Sequence, residues 1–245
     1  MDWSGDAIIL SVRQHGESAR ILDVLSREQG RHAGLVRGGA SRKATPTLQP
    51  GNSVHVHWRA RLAEHLGNFT VEPVKSRSGA LMDDRAALIG LNAFAAIAIA
   101  ALPEREPHEP VYAAAEILLD AMAADDFAHW GPLFVRWEAG LLENLGFGLD
   151  LSKCAATGTT DDLRYVSPKS GRAVCGASGA AYKDKLFALP GFLLGSQNSD
   201  PSPDEIAAGL KLTGHFLLER VLLPHGREMP PARNRLDELA QRESR

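Results

Sequence analysis

Arg31, Arg37, Arg42 and Lys43 lie within one short stretch, spaced as a surface that meets phosphate would be. Arg31 and Arg37 are an even number of residues apart, so on a strand they share one face. Gly38-Gly39 then frees the backbone, and Arg42-Lys43 follow on a loop expected to be mobile. Cations in such an array track the backbone of single-stranded nucleic acid, and their grip weakens as salt rises. Arg13, Arg20, Arg59 and Arg61 extend the track. Stacking groups are few. Trp3, Trp58 and Phe69 fall in the same region, and Trp58 alternates with valines as a core residue does. A merely solvated surface would carry the same charges, so the stretch takes its meaning from its surroundings.

A second reactive set is the pair of segments Cys154-Ala-Ala-Thr157 and Cys175-Gly-Ala-Ser178. Structural zinc takes four ligands, commonly from two Cys-x2-Cys knuckles. Each knuckle here keeps its first sulfur and replaces the second with a hydroxyl, and no histidine lies between Leu151 and Tyr182. Cys154 and Cys175 are therefore weak metal candidates, and no cofactor is expected. The alternative is two small residues packing a hairpin. His55 and His57 share a strand face, either as a ligand pair or as the exposed side of an antiparallel strand. Asp125-Asp126 and Asp161-Asp162 read as helix starts or solvated turns, since neighbours on a strand point oppositely. The chain holds no Gly-x4-Gly-Lys-Ser/Thr, His-Glu-x2-His or Gly-x-Ser-x-Gly motif, so no enzyme is expected.

The elements that must position these residues are of two kinds. Five short strands are predicted at Ala7–Arg13, Ala19–Leu25, Arg31–Arg37, Ser53–Arg59 and His65–Glu72, with one long loop before the fourth. Along Ser53–Arg59, Val54, Val56 and Trp58 take one face and Ser53, His55, His57 and Arg59 the other. Five such strands suit a small closed barrel, an OB-fold or an SH3-like one. Helical spacing then runs from Asp83 to Gly146, in one helix ending near Pro103, a second opened by Pro110 and a third from Pro132. Ser202, Pro203 and Glu205 form a capping-box signature for a last helix, ended by Pro224 and Gly226. The tail from Arg227 is expected to fray or to be only briefly helical. The predicted class is α+β, with a barrel over 1–77 and a helical domain over 78–245 interrupted by an irregular insertion at about 149–200.

Charge follows the same division. Residues 1–77 hold 11 Lys+Arg and 7 Asp+Glu, and the other 168 hold 16 and 23, a basic head on an acidic body. Met1-Asp2-Trp3-Ser4-Gly5-Asp6 lacks the basic start and apolar core of a signal peptide. The longest uncharged run, Ala86 to Leu102, is too short and too weakly apolar for a membrane span. Two cysteines argue against a disulfide framework, and the cytoplasm is the expected compartment.

In order, these segments resemble the RecO family of bacterial DNA repair proteins. The likeness rests on His15-Gly16-Glu17, Leu35-Val36-Arg37-Gly38-Gly39-Ala40 and Leu48-Gln49-Pro50-Gly51 in the strand region. It continues through Arg136-Trp137-Glu138, Leu141-Leu142 and Leu145-Gly146-Phe147, followed closely by Cys154. The resemblance implies an N-terminal OB-fold and a helical domain with a zinc-finger-like insertion. It also implies binding to single-stranded and double-stranded DNA, strand annealing, and recombinase loading with RecR in the RecF pathway, close to the nucleoid. A further implied partner is the single-stranded DNA-binding protein, engaged through its acidic C-terminal tail. Arg136 beside Trp137 is the candidate for that tail, because a guanidinium can clamp a terminal carboxylate. Family members with four cysteines bind zinc, and Thr157 and Ser178 depart from that set. The rival reading is a scaffold whose barrel binds protein without touching DNA.

Overall fold

The alternation over Ser53–Arg59 forms the two faces of a barrel strand. Val54, Val56 and Trp58 are buried inside, while His57 and Arg59 face solvent. A computed structural model describes residues 1–62, 64–195 and 201–244. Its N-terminal strands are β1 (Asp2–His15), β2 (Ala19–Ser26), β3 (Gly30–Val36), β4 (Ser53–Arg59) and β5 (Asn68–Lys75). They close in the order β1-β2-β3-β5-β4, the last joining the first, with β3 and β5 parallel where Leu35 meets Asn68. This is the five-stranded OB barrel. β1 pairs with β4 through Asp2–Ile8 and with β2 through Ala7–His15, changing register between Ile9 and Ser11. Such an irregularity lets one strand bend enough to serve both sides of a closed sheet. The interior is filled by Ile9, Leu22, Val24, Val54, Val56, Trp58 and Phe69. Gly34 is required here, because a Cβ on it would stand 2.4 Å from the Phe69 ring.

Three helices follow, α1 (Ser78–Asp83), α2 (Arg85–Ala101) and α3 (Glu109–Ala124). Asp84 caps α2 by accepting a hydrogen bond from the Ala87 N–H. The change from strand to helix falls between Lys75 and Ser78, next to the boundary expected after 77. Compactness divides the chain elsewhere, into Met1–Ala124 and Asp125–Arg245. Arg77 gives the physical reason. Its buried guanidinium donates to the Gly51 carbonyl and the Ser53 hydroxyl, and to Glu116 and Asp120 of α3. Those bonds tie α3 to the barrel.

The second unit begins with α4 (Phe127–Asn144). It starts a turn earlier than Pro132 led us to expect, because Asp126 accepts from the His129 N–H as N-cap, and Pro132 lies inside the helix. The insertion holds β6 (Leu163–Val166), β7 (Ala173–Cys175), the single turn α5 (Gly176–Gly179) and β8 (Phe187–Ala188), with sheet order β7-β6-β8. The last part of the insertion, 196–200, lies outside the described residues. α6 (Pro203–Phe216) carries the complete Ser202–Glu205 capping box and runs on through a π-helical stretch, Leu217–Leu222. The tail is more than briefly helical: α7 (Pro231–Glu243) runs for 13 residues and buries Arg233, Leu236 and Ala240. These three stand on one narrow helical stripe that the tail's charged composition hides. No described helix is long and apolar enough to cross a membrane.

Candidate nucleic-acid interface

The basic loop leaves β3 at Val36 and is wound into successive turns. Gly38, at φ +69°, makes the first reversal. Ser41 N–H then bonds to the Gly38 carbonyl, and Thr45 N–H to that of Ser41. Leu48 anchors the far end in the barrel core. Asn52 donates through Nδ2 to the carbonyls of Pro46 (3.0 Å) and Thr47 (3.1 Å), and its Oδ1 accepts from the N–H groups of Arg77 and Ser78. One buried amide thus fixes both the loop and the exit from β5. The Ala40 N–H reaches across to the Ser18 carbonyl, tying the loop to the β1–β2 turn.

This framework gathers part of the expected cation set. Arg37 and Lys43 are exposed and line one cleft of ≈ 700 Å³ between the loop and β5. Arg37 Nε donates to the Asn68 side-chain oxygen at 3.1 Å, which holds the guanidinium to the β5 side of the cleft lining. Arg42 is exposed on the same turn. Arg20 pairs with Val36 across β2 and β3, and its stem packs against Gly39. Arg13 lies opposite Ile21 on the outer wall and does not line this cleft. None of these five cations forms an ion pair with a described residue, and no carboxylate occurs between Arg37 and Gly51.

Arg31 does not belong to this set. Its side chain is 10% exposed and bonds to Asp23 at 3.0 Å, Glu104 at 3.3 Å and the Leu102 carbonyl at 3.1 Å. The segment after α2 lies over β3 here, with Arg105 N–H on the Arg31 carbonyl, and covers the face that Arg31 was expected to present. Burial pushes the Asp23 carboxyl up, and the neighbouring Arg31 charge opposes that shift.

A second cleft, of ≈ 560 Å³, adjoins the first, since Asn68 and Thr70 line both. Trp3, Trp58 and Arg59 line its other side. Trp3 is partly buried, with its ring 6.2 Å from Trp58 in a stacked arrangement and 5.2 Å edge-on to His32. Burial pushes the His32 imidazole below its ordinary value, against a contact with the Ala33 carbonyl that works the other way. His55, 5.2 Å from His57 between ring centres, contacts Asp6 at 2.8 Å.

In the second unit Arg136 is exposed on α4. Its Nη2 donates to the Phe192 carbonyl at 3.0 Å, and the guanidinium lies 5.9 Å from the Phe192 ring. Trp137, expected beside Arg136 at the tail site, is instead a core residue, 1% exposed with its ring 5.7 Å from Phe134, too buried to touch a docking tail. Cys154 and Cys175 are buried and free. The Cys175 N–H donates to the Cys154 sulfur at 3.2 Å, while Thr157 and Ser178 place hydroxyl oxygens 3.8 and 3.5 Å from the Cys175 sulfur. Hydrogen bonds from Thr157 and the Cys175 N–H lower the Cys154 thiol below its ordinary value. No group of three or more His, Cys, Asp or Glu side chains with metal-binding geometry occurs among the described residues.

Sequence reasoning missed three organising residues, Asn52, Arg77 and Arg233. Only the position of Asn52, directly after the Leu-Gln-Pro-Gly turn, gives a local signal, because a short amide at such a turn commonly satisfies backbone groups.

The whole chain has relatives. Residues 1–77 match the family model described as Recombination protein O N terminal, and residues 82–228 match Recombination protein O C terminal. A DNA repair protein RecO of Cereibacter sphaeroides is 51% identical over 243 residues, covering 99% of this chain and 100% of the relative. RecO of Phenylobacterium zucineum is 52% identical over 233 residues, 95% of each chain. RecO of Rhizobium etli is 50% identical over 234 residues, 96% of this chain and 90% of its own. With both halves matched and half of all positions identical to relatives of the same length, the chain belongs to the RecO family of DNA repair proteins.

Proposed function

We propose that this protein is a non-catalytic recombination mediator that binds single-stranded and double-stranded DNA through the loop face of its barrel and anneals complementary strands. The observation that carries this is the concentration of Arg37, Arg42 and Lys43 on a loop held by Asn52, without a carboxylate among them. Annealing needs two polyanions brought together with their charge neutralised, and counterion release supplies affinity. No bond is made or broken, so neither a catalytic residue nor a metal is called for. The protein acts in the cytoplasm at the nucleoid, and with RecR it helps load recombinase onto gapped DNA.

The acidic C-terminal tail of the single-stranded DNA-binding protein docks at Arg136, the exposed cation of α4, and Trp137 supports that helix from within. What supports this docking is a guanidinium fixed by one carbonyl, with donors left for a carboxylate. The insertion holds no zinc, because two thiols and two neutral hydroxyls make a poor ligand set.

The test is fluorescence anisotropy of a labelled single-stranded oligonucleotide at several salt concentrations. Affinity falling linearly with the logarithm of salt is the expected result. Absent or salt-independent affinity overturns the reading in favour of a protein-binding scaffold.

A further inference from the structure

Phosphate binding alone does not account for the cleft beside the basic loop. Cations suffice for phosphate, yet this cleft has an apolar floor of Val36, Leu48, Phe69 and Val71 beneath Arg37 and Lys43. Its ≈ 700 Å³ lies in the range of small-ligand sites, which pair an apolar body with a few placed polar groups. Such groups are present. The hydroxyls of Thr47 and Thr70 and the amide nitrogen of Asn68 line the cleft and bond to no other described residue. A planar apolar body with polar edges, attached to an anion, fits this lining, and a nucleotide has that form.

The neighbouring cleft repeats the arrangement. Beyond Asn68 and Thr70, the partly buried Trp3 takes the place of the apolar floor and Arg59 that of the cation, with Asp2 at the far rim. Apolar recess and cation therefore alternate along one path over β5, as base and phosphate alternate along a strand. An acidic peptide with apolar side chains matches the same charges. The β5 edge disfavours it, because Pro73 borders the cleft and lacks the N–H that an added peptide strand would bond.

We infer that the cleft between the 37–48 loop and β5 receives an unstacked base of single-stranded DNA, with Arg37 and Lys43 on the flanking phosphates. The strand continues over Asn68 and Thr70 towards Trp3 and Arg59. This rests on the DNA-binding reading above and adds to it a reason for preferring single strands, since a paired base must first be unpaired and unstacked, at about a few kcal/mol, before it can enter.

The experiment compares two labelled oligonucleotides of equal length on the full-length protein, one of thymidine and one abasic at every position. Their phosphates are the same, so their salt slopes should match, and the thymidine strand should bind about tenfold tighter. Ala44→Trp, which fills the cleft from the loop, should bring the thymidine strand to the abasic level and leave the abasic strand unchanged. Should that variant fail to fold, tryptophan fluorescence serves instead: the thymidine strand should quench the emission that Trp3→Phe removes, and the abasic strand should not. Equal affinities for the two strands overturn the base site while leaving DNA binding intact. Absence of affinity for both at low salt overturns DNA binding itself. Binding of an acidic, apolar peptide that Ala44→Trp abolishes, with the thymidine-to-abasic ratio unmoved, assigns the cleft to a protein partner instead.

Discussion

Arg233 holds Glu138 with both arms of its fork: Nε donates to Oε1 at 2.6 Å and Nη2 to Oε2 at 2.9 Å, and neither side chain is exposed. Nη2 also donates to the Leu210 carbonyl at 2.8 Å, and Thr213 donates to the same carboxylate. The pair thus joins α7, α4 and α6 at one buried point. Burial alone would push the Arg233 pKa down, but Glu138 and Asp237 more than reverse it, so the guanidinium stays charged. A buried charge without its partner is costly. Glu138→Gln should destabilise the protein by about 3–5 kcal/mol in urea unfolding. Replacing Glu138 and Arg233 together with leucine should cost less than the single change, and a larger loss in the double variant would contradict this account.

Local pattern made the barrel legible, whereas pairings between distant residues left no such mark. The alternation of Val54, Val56 and Trp58 with polar neighbours identified β4, because a strand with one face in a core writes its period into the sequence. The Ser202–Glu205 capping box likewise marked α6, both partners being within one turn. Arg31 misled because its partners Glu104 and the Leu102 carbonyl lie some seventy residues away, and an even spacing from Arg37 says nothing of what covers the face. Arg233 was hidden in a charged tail for the same reason, its carboxylate partner standing on α4. At the candidate site, Arg37 and Lys43 were legible as charges. The apolar floor beneath them was not, since Leu48 and Phe69 meet only once the barrel closes.

The two kinds of arginine should separate in experiment. Replacing Arg37, Arg42 and Lys43 with alanine should leave the unfolding midpoint nearly unchanged, because all three are exposed and outside any ion pair among the described residues. Affinity for a single strand should fall, and the salt slope should shrink by about 0.7 for each phosphate that the variant no longer neutralises. Arg31→Ala should do the reverse. It strands Asp23, of which 9% is exposed, and should destabilise the protein by about 3 kcal/mol while the folded fraction binds DNA normally. Urea unfolding beside anisotropy titration reads both effects.

His32 should make the barrel sensitive to mild acid. Its imidazole is packed against Trp3, Trp58 and Phe69, with the closest ring centre 4.9 Å away, and burial depresses its pKa below 6.5. The folded state therefore binds fewer protons than the unfolded state in that range, so stability must rise with pH. Its contribution is complete above the unfolded value and is lost as pH falls through the folded one. Thermal midpoints should decline from about pH 7 towards about pH 5, and His32→Phe should flatten the decline. An equal slope in that variant would place the acid sensitivity elsewhere.

The insertion makes a constructive prediction about zinc. A tetrahedral site with zinc–sulfur bonds of about 2.3 Å sets its sulfurs about 3.8 Å apart. The Thr157 and Ser178 oxygens already lie 3.8 and 3.5 Å from the Cys175 sulfur, and the Cys175 N–H is bonded to the Cys154 sulfur at 3.2 Å. Both hydroxyl oxygens thus stand from the Cys175 sulfur at about the separation of two zinc ligands, and what the set lacks is charge, because a neutral hydroxyl does not compensate a dication as a thiolate does. Purified protein should carry little zinc by elemental analysis, and a chelator should leave its circular dichroism unchanged. Thr157→Cys combined with Ser178→Cys should take up one zinc per chain and raise the thermal midpoint, in a manner the chelator reverses. Stoichiometric zinc in the unaltered protein would show that two thiols and two hydroxyls suffice. Failure of the double variant to bind would show that the four positions do not converge on one point.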